Sequence, residues 1–152
     1  MYDFLDRPVT SLDDGGRFLV WSMRVWVKTV AESQCPISVI APAFAKWGMI
    51  GGLAHFHKAM LMFNRDALET FGFCSLACNH VSEHEAIILS LVCSLRDARP
   101  QVVRDTLALL VEEARIGDLL AVLSALGRSL DEAGIFPARA VGVPGAVPNR
   151  PR

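Results

Sequence analysis

Apolar residues return along this chain with helical spacing, in blocks parted by glycine, proline and short polar runs. In the first block, "GGRFLVWSMRVWVKTVAES", Leu19, Met23, Trp26 and Val30 form one stripe, and Phe18, Trp21 and Val25 widen it. The polar remainder is narrow and basic: Arg17, Arg24 and Lys28. With Asp13 and Asp14 placed against the positive end of the helix dipole, the pattern predicts a helix over 11–33. Pro36 and Pro42 then mark "CPISVIAP" as a connector, because proline lacks the N–H a helix interior needs.

A second helix is predicted over 43–70, where Gly48, Gly51 and Gly52 either divide it or let another helix come close. The third, over 82–97, opens on a capping box, with Ser82 as N-cap and Glu85 three residues on. Its run "AIILSLVCSL" is apolar all round, so Ile87, Ile88, Leu91 and Val92 belong at the centre of the fold. Pro100 suits the first position of a fourth helix over 100–115, striped by Val103, Leu107, Leu110, Val111 and Ala114. Gly117 and Asp118 then separate off a fifth, over 118–133, striped by Leu119, Val122, Leu123, Leu126 and Leu130 and stopped by Gly134. No stretch alternates with period two for long. The expectation is an all-α, single-domain bundle of about five helices over 1–136, with a central buried helix. The segment 137–152, rich in proline and glycine, reads as a flexible C-terminal tail.

Composition narrows the function classes. Hydrophobic residues make up 52% of the 152 and charged residues 20%, which suits a well-buried bundle or an assembly. Net charge is −1, so there is no basic footprint for nucleic acid. The candidate span from Ile37 to Phe63 is interrupted by Lys46, His55, His57 and Lys58, so no membrane span is expected. The acidic start "MYDFLDRPVTSLDDGG" lacks the features of a secretory signal, and four cysteines are too few for a disulfide scaffold. Both point to a cytoplasmic protein with free thiols.

Chemistry concentrates in "FGFCSLACNHVSEHEAIILSLVCSL", residues 71–95, which holds three of the four cysteines and two of the four histidines. Cys74, Cys78, His80 and His84 are donors of the type zinc prefers, although only Asn79 separates the Cys pair from the His pair, a tight spacing for wrapping an ion. "HVSEH" also resembles the inverzincin metalloprotease pattern over its five residues. That resemblance would make His80 and His84 zinc ligands and Glu83 the base, and it requires all five on one continuous helix. Cys74 or Cys78 could instead act as a reactive thiol beside a helix start, but C-x-x-x-C is neither the thioredoxin nor the haem-attachment spacing. Against all three stands the plain alternative of a capped, buried helix whose cysteines pack as small hydrophobes.

Arg17, Arg24 and Lys28 could contact an anion or a partner, or form a solvated helix edge. Trp21, Trp26 and Trp47 are core candidates, any of which could line a pocket or interface.

"FLVWSMRVWV", "CNHVSEHEAIILSLV" and a closing amphipathic helix together resemble a small uncharacterised all-helical protein family of alphaproteobacteria, over most of 15–136. The resemblance implies a bacterial, single-domain helical protein and transfers no catalytic residue. The sequence therefore favours a non-enzymatic helical binding protein without a cofactor, as a homodimer through its first or last helix or as a subunit on a protein partner. The alternative is a zinc-type metal-binding protein or metal-dependent enzyme centred on Cys74, Cys78, His80 and His84.

Overall fold

The computed structural model describes residues 3–97 and 100–139. It is all-α, with six α-helices and no strand among the described residues: α1 (Asp14–Ala31), α2 (Pro36–Lys46), α3 (Leu53–Asp66), α4 (Glu83–Asp97), α5 (Pro100–Ala108) and α6 (Glu113–Glu132). No helix among them is long and apolar enough to cross a membrane.

The first helix starts where the aspartates place it. Asp13 is the N-cap, its carboxylate accepting the Gly16 N–H at 2.9 Å, and it spares one of the four unpaired N–H groups of the first turn. The expected connector 35–42 is instead most of α2. Pro36 occupies the first turn, where a missing N–H costs nothing. Pro42 lies inside the helix, on an exposed position, where water can serve the carbonyl it leaves unpaired. Ile40 and Phe44, both fully buried, anchor the helix across that defect.

The predicted 43–70 helix is divided. Gly48, at φ +74°, takes the left-handed position that ends α2, and the Met49 N–H reaches back to the Phe44 carbonyl at 2.7 Å while the Gly48 N–H bonds Ala45. This six-to-one closure, a Schellman motif, favours glycine because no side chain opposes positive φ. Gly52 serves the other predicted purpose: a Cβ there would lie 2.8 Å from Ser129 Cβ, so α6 passes too close for any side chain. The second helix proper therefore runs only from Leu53 to Asp66 and packs along α6.

At the C-terminal end, α6 runs through Gly117, so the predicted break at 117–118 is absent and the division falls at 109–112 instead. One exposed glycine costs about 1 kcal/mol. The stripe from Ile116 through Leu119, Leu123, Leu126 and Leu130, buried throughout, outweighs it. The short segment 109–112 turns so that Val111 bridges Ala67. Gly134 (φ +77°) stops α6 as expected.

The central helix is α4. Every residue from Glu85 to Ser94 is buried, including Ile87, Ile88, Leu91 and Val92, and it packs against α1, α5 and α6. Of the predicted tail, Pro137–Arg139 are docked: Pro137 is buried, Ala138 N–H bonds Asp13, and Arg139 pairs with Asp97 at 3.0 Å and Asp3 at 3.1 Å. The rest of the predicted tail, 140–152, lies outside the described residues.

Candidate metal centre

The segment 67–82, between α3 and α4, carries no helix and folds over the N-terminal end of α4. The predicted capping box holds its end in place. Ser82 Oγ accepts the Glu85 N–H at 3.4 Å, and Glu85 Oε1 accepts the Ser82 N–H at 3.0 Å. The Ser82 hydroxyl also donates to the Gly72 carbonyl at 3.2 Å.

Glu85 does more than cap. Its side chain is 0% exposed and meets Arg24 of α1, 3% exposed, in a two-pronged ion pair: Nε to Oε2 and Nη2 to Oε1, each 2.9 Å. The remaining Arg24 donors are spent on the loop. Nη1 donates to the carbonyls of Ser75 (3.1 Å) and Cys78 (2.6 Å), and Nη2 to that of His80 (2.9 Å). A guanidinium has five N–H groups, and here all five have acceptors. Glu85 is equally occupied, because Oε2 also accepts the Cys74 N–H at 3.1 Å. Pairing with Glu85, the largest influence, holds the Arg24 guanidinium above its usual pKa against the opposing effect of burial. The far side of the loop is held by the chain start. Asp6 N–H bonds the Val81 carbonyl, Val81 N–H bonds Arg7, and Val9 N–H bonds Asn79, at 2.9–3.1 Å.

Fixed in this way, the loop gathers Cys74, Cys78 and His80. Their ligand atoms all lie within 4.8 Å of one another, with Cys78 Sγ 3.5 Å from His80 Nδ1. A tetrahedral zinc with bonds of about 2.3 Å to sulfur and 2.0–2.1 Å to nitrogen needs ligand atoms about 3.5–3.8 Å apart. The Cys78–His80 edge already has that length, and the others close with a shift of about 1 Å or less. Two thiols and an imidazole are a donor set that suits zinc. Burial, the hydrogen bond the Cys74 thiol gives to Cys78 and the nearby Glu85 push that thiol upward, while Arg24 draws it the other way. The thiol is therefore protonated at neutral pH until an ion displaces the proton.

The fourth predicted ligand is elsewhere. The His84 ring stacks on Phe71 (centroids 4.4 Å apart, planes at 12°), its Nδ1 accepts the Gly72 N–H at 2.6 Å, and Nε2 lies 3.8 Å from Glu69. His84 pins the loop and does not join the cluster. The inverzincin arrangement is not formed: His80 bridges Pro8 in extended backbone, and α4 begins only at Glu83. Of the remaining cysteines, Cys93 is buried in α4, and Cys35 is exposed at the start of α2.

The basic stripe is likewise divided. Arg17 pairs with Asp14 at 2.6 Å and Lys28 with Glu32 at 2.8 Å, both on the surface, whereas Arg24 turns inward. Arg17 and Lys28 thus lie along a solvated edge of α1, and Arg24 does not. The Arg24–Glu85 pair was not foreseen, though a signal existed. Arg24 sits between Met23 and Val25 on a helix read as buried on most sides, and a buried guanidinium requires a carboxylate. No protein-family model, curated protein or solved structure matches this chain.

Proposed function

We propose that this is a metal-binding protein that holds one zinc-type ion through Cys74, Cys78 and His80. The observation that carries the reading is the convergence of two soft sulfurs and a borderline imidazole within 4.8 Å on a loop whose carbonyls are clamped by a buried arginine. Three protein ligands leave a fourth position for water or an outside ligand, which a closed structural site does not have. Glu85, the carboxylate bonded to the Cys74 N–H, accepts four hydrogen bonds and has no lone pair left to act as a base. That favours holding an ion over hydrolysis. Four free cysteines accord with a reducing, cytoplasmic setting.

Metal analysis of the protein purified without chelator tests this. One zinc per chain is expected, lost in Cys74→Ser/Cys78→Ser with helical circular dichroism retained. A metal-free protein that takes up no added zinc, or a double variant that keeps its metal, overturns the reading.

A second reading, association with another copy, is favoured by Leu68 and Leu109, exposed to 58% and 69%. The Ala67–Val111 bridge brings together the two segments that carry them. Within the last helix the stripe residue Leu126 is 3% exposed and packs in the core, so this reading rests on Leu68 and Leu109 instead. Sedimentation at micromolar concentration is expected to show a dimer that Leu109→Glu dissociates. A mass of 16.6 kDa across the dilution series excludes it.

A further inference from the structure

The three tryptophans have different environments. Trp26 is 2% exposed and its indole N–H donates to His57 Nδ1 at 3.0 Å, whereas Trp21 and Trp47 are 39% and 38% exposed. Leaving two indoles in water forgoes much of the burial that makes tryptophan valuable in a core. The exposed pair flanks one groove of about 320 Å³ between α1 and α2. Phe18 and Ala43 line it as well, Phe18 being buried with its ring 6.2 Å from that of Trp47.

Charge and size narrow the occupant. Three charged residues line the groove: Asp14, Arg17 and Lys46. Arg17 is neutralised by Asp14 at 2.6 Å. Lys46 has no acidic partner among the described residues, so the groove carries one uncompensated positive charge. An α-helix with its side chains is about 10–12 Å across, too thick for such a volume, which lies at the small end of small-molecule sites. Flat aromatic rings suit a groove lined by two indoles, since offset or edge-on ring contacts add to simple burial.

We propose that the Trp21–Trp47 groove binds a small planar aromatic carboxylate, its rings between the two indoles and its carboxylate on the Lys46 ammonium. The proposal is independent of the metal centre. Titration with 2-naphthoate, followed through the three indole N–H signals of ¹⁵N-labelled protein, tests it; Trp21→Phe and Trp47→Phe assign the signals. The Trp21 and Trp47 signals are expected to shift along one saturating curve while that of Trp26 stays in place. Naphthoate should bind about fivefold more tightly than neutral 2-naphthylmethanol, the advantage of one exposed ion pair. Lys46→Gln should erase that preference and leave the alcohol unaffected, and Ala43→Leu, which fills the groove, should weaken both probes. No saturable shift, an equal shift of Trp26, or an undiminished preference in Lys46→Gln would overturn the proposal.

Discussion

Replacing Arg24 by methionine removes the guanidinium and keeps most of the stem volume, so it isolates what the buried charge does. Glu85, 0% exposed, would then be a carboxylate without a counter-ion in the core. Breaking a buried pair from one side costs about 3–5 kcal/mol, most of it from the stranded charge. The carbonyls of Ser75, Cys78 and His80 also lose their donor, but they belong to a partly exposed loop and can turn to water at smaller cost. Against a total stability of about 5–15 kcal/mol, the variant loses about a fifth or more. For a chain of this size the melting temperature should drop by roughly 6–20 °C. Urea unfolding followed by circular dichroism measures the loss. Adding Glu85→Leu should recover part of it, since an apolar pair carries no stranded charge. Zinc affinity should not recover, because the loop stays unclamped. A single-variant loss under about 1 kcal/mol, or zinc affinity equal to that of the unaltered protein, would refute the claim that this pair both stabilises the core and shapes the site.

Three further outcomes follow from particular contacts. Ser82→Ala should cost about 1 kcal/mol in urea unfolding, the usual loss for an N-cap oxygen, and no loss would mean the 3.4 Å contact is idle. Gly52→Ala should destabilise by about 1–3 kcal/mol, because its methyl would sit 2.8 Å from Ser129 Cβ; an unchanged midpoint would show that α6 can move aside. His57 is held below its usual pKa of 6.5 by burial, and its neutral ring accepts the Trp26 N–H. The unfolded chain therefore takes up a proton first, so this contribution to stability is complete above pH 6.5 and fades as pH falls through it toward the lowered folded value. Urea midpoints between about pH 5 and 8 should decline more on the acid side for the unaltered protein than for His57→Phe. Parallel profiles would remove His57 from the account.

The helices, the capping box and the central position of α4 were legible because period and caps are local signals. The helix through Pro42 was not, because burial of Ile40 and Phe44 overrides a local breaker and leaves no mark on periodicity. Gly117 misled for the same reason, with the Leu119–Leu130 stripe deciding the outcome. At the candidate site, Cys74, Cys78 and His80 could be read as neighbours in sequence. That His84 turns away depended on Phe71 and Gly72, whose approach only the folded loop shows. The pairing of Arg24 with Glu85 joins residues 61 apart, a separation at which pattern gives the need for a partner but not its identity.

Cobalt(II) titration of the reduced protein addresses the metal centre most directly, because cobalt occupies zinc sites and reports its ligands by colour. The account predicts saturation at one ion per chain, with thiolate-to-cobalt charge-transfer absorption and the visible bands of a four-coordinate ion. Zinc should displace the cobalt. His80→Ala should weaken binding and keep the thiolate band, and Cys74→Ser/Cys78→Ser should abolish it, with His84→Phe binding as the unaltered protein does. A spectrum without thiolate absorption, or one that depends on His84 and not on His80, would contradict the account.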